Sequence, residues 1–204
     1  AEPKRRLHIE FRAYDEGVAF RYVLPEQPAL DGATASSEAT EFHFASDLGA
    51  YPIPWTEAHY SETPTPIREC KSVLIPLTIE LGDGAMASLI EAHVANQPPC
   101  RLKQKDERTL RPEFRKGKLT LATPAALTWR GLILAPNVAG LIERRTLVEN
   151  LNPPCAIDDT SWIKPGIFID NCGPIETENL KRNMDFAAEH HLGYVHTDLS
   201  LIHH

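Results

Sequence analysis

The sequence predicts a mainly β protein, in which an antiparallel β-sandwich is followed by a short strand–helix–strand unit. Apolar and polar residues alternate with period 2 in several segments that are separated by turn residues. The chain contains 17 Pro against 11 Gly, which suits short strands joined by stiff loops. After residue 166 the pattern changes to an apolar run, an amphipathic helix and a second run, as in a parallel βαβ unit.

The first element is a β-hairpin. Residues 7–13 and 18–24 alternate between apolar and polar, and Asp15-Glu16-Gly17 forms the turn between them. Pro25 ends the hairpin, and a polar loop follows. Residues 40–44 alternate again and predict a third strand.

Residues 51–66 predict an extended surface loop, because four prolines are interspersed with aromatic residues. The aromatic side chains Tyr51, Trp55 and Tyr60 are candidates for stacking on a ligand. The alternative is that they cover the edge of the core.

A second hairpin runs from 74–81 to 85–92, with the turn at Gly82-Asp83-Gly84. Further strands are expected at 119–122 and 127–135. Because no span before residue 136 shows a sustained 3.6-residue apolar stripe, we expect this part to be almost entirely β.

The pattern changes after Asn152-Pro153-Pro154. Residues 167–169 form an apolar run, as in a strand buried on both faces. Apolar residues from Leu180 onward then recur at helical spacing, with Gly193 just past the end, and residues 194–197 form a second strand. We therefore predict a sandwich domain at 1–150, a linker at 151–166 and a βαβ segment at 167–204.

Composition excludes several classes of function. The net charge is −7, so no general positive field favours nucleic acid or anionic lipid. We expect no membrane partner, and residues 1–6 lack the apolar stretch of a signal peptide. Esterase, phosphate-loop and zinc-protease motifs are absent. The four cysteines are widely spaced, and their three possible pairings stay open.

The sequence resembles glycoside hydrolase family 97. The most specific stretch is 150–166, Asn-Leu-Asn-Pro-Pro-Cys-Ala-Ile-Asp-Asp-Thr-Ser-Trp-Ile-Lys-Pro-Gly, which is similar to the crossing from sandwich to barrel in that family. The opening hairpin, Thr128-Trp129-Arg130 and residues 178–189 support it. The resemblance implies an antiparallel β-super-sandwich, partial at its amino terminus, followed by a strand–helix–strand remnant of a (β/α)8 barrel. It also implies calcium-dependent cleavage of α-glucosides or α-galactosides in oligosaccharides, and a periplasmic or secreted location.

Glycoside hydrolysis requires two carboxyl groups that flank the scissile bond. In the family that this chain resembles, these groups lie later in the barrel, beyond residue 204. We therefore name no catalytic residue and expect a truncated member that is not catalytic alone.

Glu91 is the candidate metal ligand. It lies near the end of a predicted strand, in Leu89-Ile90-Glu91-Ala92-His93, and the resemblance implies that it binds calcium. Calcium takes six to eight oxygens, so this one residue does not complete a site. The alternative is a glutamate exposed at a strand end.

Two other functions remain open. The chain could be a non-catalytic carbohydrate-binding sandwich, in which Trp55, Tyr51 or Tyr60 stacks on a sugar ring. The βαβ remnant could also cause self-association, because its apolar helix face and strand edges would otherwise be exposed.

Overall fold

The computed structural model describes residues 4–55, 61–95, 97–171 and 176–197. The chain divides into two compact units, Ala1–Pro154 and Cys155–His204, and each is described here by itself. The first unit is built of antiparallel sheets, so the predicted β-sandwich is confirmed. The predicted boundaries at residues 150 and 166 stay predictions.

The larger sheet of the first unit contains eight strands, β1 (His8–Tyr14), β2 (Gly17–Leu24), β5 (Gly49–Tyr51), β6 (Thr65–Pro66), β8 (Leu77–Gly82), β9 (Ala85–Ala92), β13 (Ala125–Ala126) and β14 (Trp129–Ala135). Their order is β1-β2-β14-β9-β8-β5-β6, and β13 also pairs with β2. Both predicted hairpins, β1–β2 and β8–β9, are present in this sheet.

The smaller sheet contains β4 (Phe42–His43), β7 (Ser72–Leu74), β10 (Cys100–Asp106) and β11 (Thr109–Phe114), in the order β4-β11-β10-β7. Its central hairpin, β10–β11, has no counterpart in the sequence prediction. Two further strands, β3 (Thr34–Ala35) and β12 (Leu119–Thr120), pair separately with each other. Short 3-10 turns lie at Pro28–Leu30 and Ile67–Glu69.

The apolar core lies on both faces of the larger sheet. One cluster includes Ile79, Leu89, Leu102 and Leu110, so it joins the larger sheet to the smaller one. A second cluster packs around Trp129 on the opposite face. Burial of this apolar area from water is the main stabilising contribution to the sandwich.

Two short helices cover the second cluster, α1 (Val138–Glu143) and α2 (Thr146–Leu151). Leu147 and Leu151 of α2 are buried against the sheet. Both helices follow residue 135, so they lie outside the part that was expected to be almost entirely β, and the sequence analysis predicted no element for them. Asn137 caps α1, since its side-chain oxygen accepts a hydrogen bond from the Gly140 N–H at 2.9 Å.

The second unit contains β15 (Phe168–Asn171), α3 (Thr177–Glu189) and β16 (Tyr194–Thr197). The two strands pair in parallel, as expected for a βαβ unit. The expectation of a strand buried on both faces is wrong for the described residues, because Ile167 is 73% and Phe168 52% exposed. Origin of this unit in a barrel stays a prediction. No helix among the described residues is both long and apolar enough to cross a lipid bilayer.

Candidate functional site

A buried cluster of charge lies between the two sheets, around Arg130. Arg130 is on β14 directly opposite Glu91 on β9, and it donates a hydrogen bond through Nη1 to Glu91 Oε1. Glu38, from the loop between β3 and β4, accepts two further bonds, from Nε at 2.9 Å and from Nη2 at 2.5 Å. One guanidinium therefore binds two carboxylates, with Glu38 in the two-bond geometry that makes arginine–carboxylate pairs strong.

These three side chains are largely withdrawn from water. The side chains of Arg130, Glu91 and Glu38 are 4%, 10% and 15% exposed. Burial alone would lower the pKa of Arg130, but the hydrogen bonds and charge of Glu38 offset this effect, and the pKa is raised. Arg130 is therefore charged across the physiological pH range.

Cys100 completes the cluster. Its thiol sulfur lies 3.2 Å from Arg130 Nη2, and its backbone N–H donates to Glu91 Oε2 at 3.4 Å. Burial raises the pKa of the Cys100 thiol to about 12, even though the charge of Arg130 acts in the opposite direction. At neutral pH the thiol is protonated and is a poor nucleophile.

Glu91 also borders a cavity of about 330 Å³. Glu91 is charged, whereas the other residues that line this cavity are apolar. The other lining residues are Ile75, Pro76, Ile90, Val94 and Val148. The prediction that places Glu91 at the end of a strand with apolar neighbours agrees with this position, whereas its role as a calcium ligand stays a prediction.

Two of the three predicted aromatic residues, Trp55 and Tyr51, lie within the described part of the chain. Trp55 is 57% exposed. Tyr51 is half-buried on β5, and its hydroxyl donates to Glu80 Oε1 at 2.7 Å; this hydrogen bond is the main reason that the pKa of Tyr51 is raised. Tyr60 lies outside the described residues. A sugar-binding role for the three stays a prediction.

Sequence reasoning missed Glu38 and the pairing role of Arg130. Glu38 lies 92 positions from Arg130 along the chain, in a polar loop without a motif. The available signal was the position of Arg130 inside an apolar strand pattern, because a buried arginine requires a carboxylate partner.

A second arginine cluster lies on the opposite face of the larger sheet. The guanidinium groups of Arg12 and Arg21 lie 4.7 and 4.4 Å from the ring centre of the buried Trp129. Glu10 accepts hydrogen bonds from Arg12 Nε at 3.2 Å and from Arg21 Nε at 2.7 Å. This arrangement covers the indole ring and explains its complete burial.

Comparison with known proteins gives consistent results. A family model described as "Glycosyl-hydrolase 97 N-terminal" matches residues 1–154. A retaining α-galactosidase of Bacteroides thetaiotaomicron is 21% identical over 96% of this chain and 37% of its own length. A probable retaining α-galactosidase of Streptomyces bingchenggensis is 27% identical over 79% of this chain and 25% of its own.

Solved structures show the same fold. A glycoside hydrolase family 97 enzyme from Pseudoalteromonas sp. strain K8, in complex with acarbose, superposes with a TM-score of 0.77 and 26% identity. That alignment covers 94% of this chain and 32% of the enzyme. The chain thus spans between a quarter and somewhat more than a third of the length of these relatives.

The class of domain that these findings define is the amino-terminal β-sandwich of a glycoside hydrolase. The chain belongs to the glycosyl-hydrolase 97 N-terminal family, since the model matches three quarters of it. The predicted resemblance to family 97 is confirmed.

Proposed function

We propose that this chain is a part of a glycoside hydrolase that cleaves α-glucosides or α-galactosides in oligosaccharides, and that it is not catalytic by itself. Membership of family 97 supports the reaction class. The names of two relatives support α-galactosides. Structures of a family 97 enzyme in complex with acarbose and with panose support oligosaccharides as substrates.

The pairing of two buried carboxylates with one arginine supports a non-catalytic role. A glycosidase needs one carboxyl group to protonate the leaving oxygen and a second one to attack or to activate water, on either side of the sugar. Glu38 and Glu91 instead share Arg130 and are largely buried. Neither carboxylate is free to approach a glycosidic bond.

Hydrolysis of aryl α-glucosides and α-galactosides by the purified chain, with calcium present, tests this proposal. We expect no turnover above that of a heat-denatured sample. Turnover that survives in the Glu91→Gln variant would contradict the proposal, because another pair of carboxyl groups would then have to act. Turnover that Glu91→Gln abolishes would contradict it as well, because Glu91 would then be catalytic in this chain.

Calcium needs more ligands than the described residues of this chain present together. Glu38, Glu91 and Arg130 together carry a net charge of −1, which is compatible with a cation near Glu91. However, the described residues include no group of three or more His, Cys, Asp or Glu side chains suited to a metal ion, and calcium takes six to eight oxygens. These residues do not fit a calcium site on their own. The remaining oxygens would have to come from outside the described residues.

A calorimetric titration of the chain with calcium chloride tests this view. We expect no saturable heat of binding. Binding that is lost in Glu91→Gln but kept in Glu107→Gln, a change on an exposed turn, would show that this chain completes a calcium site around Glu91.

The second candidate is a non-catalytic carbohydrate-binding sandwich. The exposed indole of Trp55 favours it, because an exposed aromatic ring can stack on a sugar. Titration with maltose and melibiose should then give heat that is lost in Trp55→Ala. Trp162→Ala is the matched control, because Trp162 is 68% exposed. Equal loss in both variants, or no heat at all, would contradict this candidate.

Self-association through the second unit is the remaining part of the proposal. Its exposed apolar side chains support it. They are Ile167, Phe168, Met184, Phe186 and Tyr194, which are 45–73% exposed. A lower apparent mass for Ile167→Lys than for the unchanged chain, measured by light scattering, is the expected result.

A further inference from the structure

The hairpin of β10 and β11 concentrates positive charge in an otherwise acidic chain. Residues 101–118, which include most of β10 and all of β11, contain eight Lys or Arg against three Asp or Glu, a net charge of +5. Because the whole chain has a net charge of −7, the rest of it carries −12. A positive field is therefore confined to one region of the smaller sheet.

The strand register determines which side chains of this hairpin point outward. Leu102 is fully buried in the core that joins the two sheets, and the residues opposite it, Val73 and Pro112, are buried as well. Successive side chains of a strand point to opposite faces of the sheet. The neighbours of Leu102 on β10, Arg101 and Lys103, therefore lie on the outer face.

Two further basic residues lie on the same face. Arg111 of β11 is directly opposite Lys103, and it is exposed. Lys105 is two positions beyond Lys103 on β10, and its ammonium group lies 2.7 Å from Glu41. We name Arg101, Lys103, Lys105 and Arg111 the basic face. Alternate residues of a strand are about 7 Å apart, so the row from Arg101 to Lys105 is about 13 Å long.

The charges of the basic face repel one another. Lys103 and Arg111 are like charges directly opposite each other, an arrangement that destabilises an antiparallel pair. Among the residues that the structure describes, the ion pairs of this hairpin are those of Lys103 and Lys105. Arg101 instead donates a hydrogen bond to the Ser72 hydroxyl at 3.0 Å. An anionic ligand over the face would reduce the repulsion.

The neighbouring glutamates do not neutralise the basic face. Lys103 lies 2.9 Å from Glu113, and Lys105 pairs with Glu41 as stated above. These four side chains are 33–46% exposed, and exposed ion pairs are weak because water and salt screen them. Four basic and two acidic side chains leave a net charge of +2. Residues 115–118 add three exposed basic side chains next to β11.

We propose that the basic face binds a linear acidic polysaccharide that carries a carboxylate on each sugar. A row of cations at regular spacing on a sheet complements a polymer with regularly repeated anions. Arginine binds carboxylates strongly, since its N–H groups can donate two parallel hydrogen bonds. The choice of a polysaccharide rests on the proposed function, because a part of a glycoside hydrolase meets sugar polymers. This site is separate from the buried cluster around Arg130, which lies between the sheets.

Two other polyanions fit the basic face less well. Proteins bind single-stranded nucleic acid by stacking bases on aromatic rings, but the two phenylalanines of the described strands lie on the inner face. Phe42 packs against the core, and Phe114 is opposite the buried Cys100. An anionic membrane is a plane that would also approach the acidic remainder of the chain. Because the Debye length is about 8 Å at physiological ionic strength, a narrow polymer interacts with the face alone.

Affinity electrophoresis in native gels measures this binding. We expect polygalacturonate in the gel, together with a calcium chelator, to retard the chain, and neutral dextran to leave its mobility unchanged. The chelator excludes calcium bridges between carboxylates of the polymer and of the chain. Lys103→Gln with Arg111→Gln should weaken binding about tenfold, because two charge contacts are lost. We expect no lower urea midpoint, because this change also removes a repulsive pair.

The matched control is Arg145→Gln with Lys181→Gln. These side chains are 75% and 63% exposed and lie outside the basic face, and their replacement removes the same total charge. We expect the control to bind as tightly as the unchanged chain. Equal weakening in the two double variants, retardation by dextran, or no retardation by polygalacturonate would overturn the proposal.

Competition identifies the class of polymer. Oligodeoxythymidylate, polyglutamate and phosphatidylglycerol vesicles, added at equal total charge, should displace polygalacturonate only weakly. Stronger displacement by one of them would overturn a polysaccharide as the partner. Failure of this proposal is distinguishable from failure of the proposed function, because the hydrolysis assay uses neutral aryl glycosides and contains no polyanion.

Discussion

At the scale of single residues, Arg130 binds two buried carboxylates with one guanidinium. Arg130→Met would leave Glu38 and Glu91 buried together without a counter-charge. We expect the free energy of unfolding to fall by about 3–5 kcal/mol, the usual cost of breaking a buried pair from one side. Equilibrium denaturation in urea measures this change.

The matched control is Arg68→Met. Arg68 pairs with Asp47, but its side chain is 53% exposed, so we expect a loss of no more than about 1 kcal/mol. The loss of unfolding free energy in Arg130→Lys should lie between those of Arg130→Met and Arg68→Met. Lysine keeps the charge but loses the two-bond contact with Glu38. Equal losses of unfolding free energy in Arg130→Met and Arg68→Met would contradict the prediction that the buried pairs of Arg130 stabilise the fold more than an exposed pair does.

The cysteines differ in exposure, and this gives a second prediction at the residue scale. Cys70 and Cys100 are buried free thiols, whereas Cys155 is an exposed one. Burial raises the pKa of Cys70 to about 11 and that of Cys100 to about 12. Since the thiolate is the reactive form, at pH 8 we expect an alkylating reagent to label Cys155 in the folded chain and to leave these two unmodified.

Peptide mass mapping identifies the labelled thiols. The control is the same reaction in denaturant, where Cys70 and Cys100 should react as fast as Cys155. Labelling of Cys100 in the native chain would indicate that the Arg130 cluster opens to solvent.

At the scale of the elements, the β1–β2 hairpin depends on Gly17. A Cβ atom at this position would lie 2.0 Å from the backbone oxygen of Leu132 on β14, and backbone cannot move aside as a flexible side chain can. We expect Gly17→Ala to destabilise the first unit by about 3 kcal/mol. Gly193→Ala is the control for thermal unfolding, because its nearest contact would be at 3.9 Å. Similar shifts in both variants would argue against the close approach of β2 to β14.

The sequence predicted the elements that depend on local signals. The hairpins β1–β2 and β8–β9 were identified because alternation and a glycine-containing turn lie within about 20 residues. The helices α1 and α2 were missed, because six residues carry too little periodicity and their stability comes from packing of Leu147 and Leu151. The Arg130–Glu38 pair was unpredictable for a related reason: only the sheet topology brings together residues 92 positions apart.

At the scale of the whole molecule, apolar burial is distributed unequally between the units. The first unit contains two clusters of buried apolar side chains. Among the described residues of the second unit, Ala187 is the buried apolar one, while Met184 and Phe168 are 60% and 52% exposed. A low density of buried apolar contacts lowers the free energy of local opening.

Hydrogen exchange should therefore distinguish the two units. We expect the amides of α3 and β16 to exchange at least about tenfold faster than those of β9 and β14, because their hydrogen bonds open without disrupting a large core. Exchange followed by mass spectrometry on the unchanged chain measures both sets at once, so each serves as the reference for the other. Equal protection would mean that the apolar surface of the second unit is covered in solution. In that case the Ile167→Lys variant should show the faster exchange expected for an uncovered unit.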